Sequence, residues 1–183
     1  YAKRLKQLKY DDRNKQTFNA LAEYCARYNA GRLLVDEPPP YRMPERGLLL
    51  FGAHGLGKSE FLSRFAAMMD IEIFDARDIA WEFQVGGAAA VDAMLRPHNN
   101  ADIIIDDIGN EDEALSFGNA FSMATILDKR YRLWSMPNGP RTFLASNADR
   151  AAIEKLYGKA ALSRIQGMCD VVEFYGPDRR SER

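Results

Sequence analysis

Lys58 and Ser59 close an eight-residue stretch, Gly52-Ala53-His54-Gly55-Leu56-Gly57-Lys58-Ser59, of the form G-x-x-x-x-G-K-[ST]. A lysine at that place can reach the β- and γ-phosphates of a nucleotide, and the hydroxyl beside it can ligate Mg²⁺. The glycines let backbone N–H groups turn inward as a nest for phosphate oxygens. A helix starting there aims its positive end at the same point. Glu60 follows directly, so residues 52–60 form the candidate nucleotide-binding run. His54 fills a variable slot of the motif and reads as a solvent-facing filler rather than a catalytic histidine.

A second group of chemistry-bearing residues lies downstream. Asp106 and Asp107 end the apolar run Ile103-Ile104-Ile105, and a buried strand of that kind delivers acids to the carboxyl edge of a sheet, where α/β ligands bind. Asp106 is placed to hold Mg²⁺, and Asp107 to polarise an attacking water. Asn147 closes a later apolar run. It either orients that water or caps the helix that follows, and the residues alone do not separate the two. Arg164, on an otherwise apolar stretch, is either a finger for a neighbour's nucleotide or one half of a surface salt bridge. A finger supplied in trans is worth about 10³–10⁵ in rate.

The positioning elements follow from periodicity. Residues 47–51, Gly-Leu-Leu-Leu-Phe, read as a buried strand before the loop, and Phe61, Leu62, Phe65 and Met69 fall on one face of a helix after it. That strand–loop–helix order is the context the motif requires. Further strands are expected at 71–75, 102–107, 142–146 and 170–174. Helical turns at 78–83 and 88–95 flank Gly86-Gly87, and a long amphipathic helix carries Phe117, Ala120, Phe121, Ala124, Leu127 and Tyr131. Two more helices, 151–157 and 159–166, precede the last strand. Ahead of the first strand, residues 14–29 have helical spacing with Gly31 placed as a C-terminal cap. A stiff connection through Pro38-Pro39-Pro40 follows it. Strands alternating with helices imply a parallel sheet covered on both faces.

Taken together, GAHGLGKS (52–59), IIIDDIG (103–109), TFLASN (142–147) and YGKAALSRIQGMCDVVEF (157–174) resemble the AAA+ ATPase core. Within it they look like the DnaC/IstB-like helicase loaders and transposition helper ATPases, over residues 14–180. The resemblance implies an α/β P-loop NTPase: a three-layer sandwich around a five-stranded parallel sheet of order 5-1-4-3-2. It implies ATP and Mg²⁺ held between subunits of a homo-oligomer, with Asn147 matching sensor 1 and Arg164 the arginine finger. Little chain follows Phe174, so the helical lid of larger AAA+ proteins is expected to be absent or vestigial. The second acid is Asp107 where many members carry Glu, which favours slow hydrolysis.

On this reading residues 1–46 are an N-terminal helical segment with a proline-rich linker, and 47–183 the ATPase core. The implied activity is ATP-driven loading or remodelling of a DNA-bound partner, a replicative helicase or, for an IstB-like protein, a transposase, with single-stranded DNA as a further ligand. The alternative is an ATP-gated oligomeric binding module with negligible hydrolysis. A small-molecule kinase fits less well, because no acceptor pocket is apparent.

Composition bounds the rest. The 183 residues, 46% hydrophobic, suffice for a sizeable core, and no stretch is long and apolar enough to span a bilayer. Cys25 and Cys169 each sit in an apolar pattern, so buried thiols in a reducing cytoplasm are expected. With 25 basic and 26 acidic residues the net charge is −1, so any nucleic-acid surface must be local. Its candidates are Lys3/Arg4/Lys6/Lys9 and Lys129/Arg130/Arg132, each as readily a solvated helix face, and a loop carrying Trp81 and Phe83 beside Gly86-Gly87, for which core packing is the favoured alternative. Arg130 is a second candidate to face a neighbour's nucleotide, and Arg179/Arg180 a candidate basic tail.

Overall fold

The computed structural model describes residues 15–33, 45–110, 116–176 and 178, with only the backbone of 116–122. The expected basic sets at Lys3–Lys9 and Arg179/Arg180, the proline-rich connection and the acidic run 111–113, whose composition reads as a solvated helix start, lie outside the described residues. The elements are α1 (Lys15–Leu33), β1 (Gly47–Phe51), α2 (Lys58–Met69), β2 (Glu72–Asp75), α3 (Ala76–Leu95), β3 (Ile103–Ile108), α4 (Ser116–Trp134), β4 (Thr142–Ser146), α5 (Arg150–Met168) and β5 (Cys169–Glu173).

The five strands form one sheet of order β2-β3-β4-β1-β5, and every neighbouring pair is parallel. Read from the other edge this is 5-1-4-3-2. Period-two alternation assigns the faces. Leu48, Leu50, Ile104, Phe143 and Ala145 join α1 and α2 in one apolar cluster. Leu49, Ile103, Ile105 and Leu144 join α3, α4 and α5 in the other. Two helical layers therefore enclose the sheet.

α1 belongs to the first layer. Tyr24 and Tyr28 each meet Phe65 and Phe143 edge-on, at centroid separations of 5.2–6.5 Å. Such contacts contribute about 0.5–1.5 kcal/mol each beyond the area they bury, enough to seat the helix on the sheet rather than leave it tethered. Tyr24 Oη also donates to the Arg46 carbonyl (2.6 Å), and Thr17 Oγ1 to that of Glu173 (3.0 Å). The helix runs through Gly31 to Leu33, so the expected cap at Gly31 is wrong. One glycine inside a helix costs only about 1 kcal/mol, less than the burial that holds α1 in place.

Each expected helix pair forms one element interrupted by a glycine kink. α3 has a non-helical residue at Gly87 (φ 65°, ψ −162°), and α5 at Gly158 (φ 86°, ψ 161°). Both thiols are buried and free. Cys25 is in the α1–α2 cluster and Cys169 in the other, on opposite faces of the sheet, which precludes a bridge between them. Burial pushes the Cys25 thiol up to about 12 and raises Cys169 as well.

Candidate nucleotide-binding site

The loop between β1 and α2 owes its path to backbone geometry few residues tolerate. Gly52, Gly55 and Gly57 have φ of 142°, 73° and 93°, and a side chain at any of the three would be strained. Gly57 is the N-cap of α2 and gives no side-chain cap, and the N–H groups of a first helical turn have no acceptor within the helix. An anion can accept from those groups. Leu56 is buried, anchoring the loop to the core, while Ala53 and His54 face solvent. Glu60 faces outward too, in an i,i+4 ion pair with Arg64 (2.5 Å).

Lys58 is almost fully buried. Its Nζ donates to the carbonyls of Gly52 (2.7 Å) and Ala53 (2.8 Å) and to Asn147 Oδ1 (2.6 Å). Asn147 Nδ2 donates in turn to Asp107 Oδ1 (2.6 Å), and Asn110 Nδ2 to Asp107 Oδ2 (2.9 Å). Ser59 Oγ donates to Asp106 Oδ1 (3.2 Å). Loop, strand β3 and the end of β4 are thus joined by side chains at one sheet edge. Asn147 does not cap α5: that role falls to Asp149, which accepts from the Ala152 N–H (2.7 Å).

Asp106 and Asp107 occupy an irregularity in β3, where pairing with β4 shifts register between Ile105 and Ile108. Asp107 takes a left-handed conformation (φ 63°), and its N–H donates to Asp106 Oδ1 (2.9 Å). Such a bulge re-aims side chains at a strand end. Burial raises the Asp106 carboxyl above its ordinary value, against the Ser59 and Asp107 hydrogen bonds that lower it. Asp75 ends β2 in register with Asp106. Its own carboxyl is lowered, chiefly by the Arg77 hydrogen bond.

Sequence reasoning passed over several of these supports. Tyr157 Oη accepts from the Gly109 N–H (2.6 Å), and Ser146 Oγ donates to the Ile108 carbonyl (2.8 Å); together they pin the turn after β3. Asp75 carried a readable signal, an acid closing a strand like Asp106. Asp178 carried none, yet its carboxylate lies against Gly55.

Other candidates fall elsewhere. α5 leaves the carboxyl edge of the sheet at Arg150 and returns to feed β5 at Met168, so Arg164 sits toward the edge away from the loop. It pairs with Asp128 of α4 (2.5 Å), which also pairs with Arg132. Arg130 cannot face a neighbour's nucleotide. It is buried, donating to Thr142 Oγ1 (2.9 Å) and to the carbonyls of His98, Ala101 and Arg141 (2.8–3.1 Å). Burial lowers its guanidinium to about 10. Lys129 pairs with Asp92 (2.8 Å), so the Lys129/Arg130/Arg132 set offers no free cationic patch. Trp81 and Phe83 lie on α3 rather than in a loop: Phe83 packs against the core, whereas Trp81 is 61% exposed, against the expectation of core packing.

No protein-family model matches this sequence, and no curated protein does. Solved structures do. The structure of the DnaC helicase loader superposes with a TM-score of 0.63 at 16% identity, covering 93% of this chain and 96% of that one. The fold is that of an AAA+ core. A DNA replication initiation factor (TM-score 0.61, 17% identity, 97% of this chain) and the FIGL-1 AAA domain in complex with ADP (0.60, 19%, 90%) share it. This chain spans about half of each of those two, 51% and 55%. The shared AAA+ fold accounts for the 5-1-4-3-2 strand order and the three layers. Among the described residues no helix is long and apolar enough to cross a membrane.

Proposed function

We propose that this chain binds and hydrolyses ATP with Mg²⁺, and that it assembles on nucleotide to load or remodel a DNA-bound partner. The observation that carries the reading is the connected set Lys58–Asn147–Asp107 beside Ser59–Asp106. A phosphate-reaching ammonium, a hard-oxygen pair and a water-orienting amide–carboxylate pair converge under one glycine loop. Ser59 and Asp106 present the oxygen donors that Mg²⁺ prefers, so the residues fit the ion. When bound, it neutralises charge on the transferred phosphate.

The chain's own residues do the remainder. Backbone N–H groups of 52–60 and the start of α2 cradle the phosphates. Lys58 exchanges its three resting acceptors, the two loop carbonyls and Asn147 Oδ1, for phosphate oxygens, which frees Asn147 to turn toward an attacking water. Asp107 accepts a hydrogen bond from that water. Arg164 serves the nucleotide of an adjoining copy, with Asp128 as its resting partner. The partner is a replicative helicase or a transposase, with single-stranded DNA, in the cytoplasm; the similarity to the DnaC loader's fold supports the former.

ATP turnover of wild type, Lys58→Ala and Arg164→Ala, with and without single-stranded DNA, tests this. Lys58→Ala is expected to lose turnover and nucleotide binding at least about 100-fold; unchanged turnover sinks the site. Mixing inactive Arg164→Ala with Lys58→Ala is expected to restore part of the rate, since each supplies what the other lacks. No recovery leaves Arg164 a structural ion pair.

One observation favours the second reading, a nucleotide-gated module with negligible hydrolysis. Both carboxylate oxygens of Asp107 already accept amide hydrogen bonds, from Asn147 and Asn110. ATP-dependent assembly without phosphate release would select it.

A further inference from the structure

Described residues beyond β5 meet the phosphate loop at two points. The Phe174 N–H donates to the Phe51 carbonyl (2.7 Å), and the Phe174 carbonyl abuts Gly52 so closely that no side chain fits there. Three residues on in the loop and four in the tail, the contact recurs. Both carboxylate oxygens and Cγ of Asp178 crowd the position a β-carbon on residue 55 would take. Between them Tyr175, 54% exposed, donates from its hydroxyl to Glu173. Phe174 and Asp178 therefore line one side of the loop, and Asp178 brings a carboxylate to the middle of the glycine run.

We propose that Asp178 acts as a self-inhibitory strap: its carboxylate opposes the phosphates of an incoming nucleotide and must withdraw before they seat. The physical warrant is like-charge repulsion. Two anions a few ångströms apart at a partly hydrated protein surface repel by an amount equivalent to a several-fold change in affinity. Salt screens this poorly, because the separation is shorter than the Debye length. Gly55 has to lack a side chain both for its positive φ and for the strap to lie down. The inference rests on the loop being the nucleotide site.

Titration calorimetry on the full chain with Mg·ATP and, separately, with inorganic triphosphate tests it. Asp178→Ala and Asp178→Asn are expected to bind both probes about three- to tenfold more tightly than wild type. The exposed Glu72, at the amino end of the far edge strand, provides Glu72→Ala as a control for charge alone, expected to match wild type. Equal affinity in wild type and both Asp178 variants overturns the strap, as does weaker binding in the variants, which would make the tail a support for the ligand. An equal gain in Glu72→Ala also overturns it, assigning the effect to net charge. If no variant binds either probe while all remain folded by circular dichroism, the nucleotide site itself is refuted, and the strap with it.

Discussion

Asp107 stands at φ 63°, inside the irregular stretch of β3. Aspartate and asparagine tolerate the left-handed region better than glutamate, because a short polar side chain bonds locally; here the local partners are Asn110 and Asn147. The backbone thus supplies a reason for aspartate where the resemblance led one to expect glutamate. Asp107→Glu should lower stability by about 1 kcal/mol in denaturant melts. Asp107→Asn should keep stability and ATP binding while turnover falls about 100-fold or more; retained turnover would remove Asp107 from the chemistry.

Asp106 makes a prediction in pH. Its folded-state carboxyl is raised, so the folded chain holds that proton more tightly than the unfolded chain does. Stability is therefore undiminished below the ordinary carboxylate value and is lost as pH rises through the raised one. Asp106→Asn, which keeps an acceptor for Ser59 and the Asp107 N–H, should raise the ligand-free Tm at pH 7 and leave it unchanged near pH 3. It should also abolish the Mg²⁺-dependent part of stabilisation by ATP. A lower Tm at pH 7 contradicts the burial account. At this scale the sequence displayed the loop lysine, the serine and both acids, because their spacing is local. The Asn147 bridge and the Tyr157 and Asp178 contacts were illegible, since each spans a sequence separation that only the folded chain closes.

Helix boundaries were read well where glycine interrupts a periodic pattern. Both breaks, at Gly87 and Gly158, are real, and each pair of expected helices survives as the two halves of one element. Gly158 adopts φ 86°, ψ 161°, a region essentially reserved for glycine, yet a β-carbon there would meet nothing within 4 Å. The cost of Gly158→Ala is then torsional alone, about 1–3 kcal/mol. Thermal unfolding should show it as a Tm drop of several degrees, with nucleotide affinity intact. An unchanged Tm would mean that α5 re-forms as one continuous helix. The break lets Tyr157 reach the turn after β3 while Arg164, beyond it, pairs with α4. What periodicity could not convey was the fate of Trp81, since its spacing fits a core stripe and only the packing of α3 leaves it outside.

Over the whole molecule, strands alternating with helices announced a parallel sheet buried on both faces, but the order of its strands came from likeness and not from period. The surface charges were the hardest to read. Lys129, Arg130 and Arg132 look like a phosphate-binding cluster on one helix, whereas two are neutralised by acids four residues or a whole helix away, and one is spent inside on carbonyl oxygens. Arg130→Ala should therefore destabilise by about 3 kcal/mol or more, by stranding buried acceptors. Its signature is a lower denaturation midpoint in the single chain; an effect confined to assembled, ATP-bound protein would reinstate the intersubunit role.

The placement of the two cysteines has a practical consequence. One sulfur lies under each helical layer, Cys25 on α1 and Cys169 where α5 turns into β5, hydrogen-bonded to the Thr142 carbonyl. Neither reacts while covered, so a thiol reagent becomes a clock for each layer lifting away. Because α1 can peel off without unzipping a strand, the first sulfur should be labelled sooner than the second, and mass spectrometry would resolve the two arrivals. Simultaneous labelling would mean that the molecule opens as a single piece.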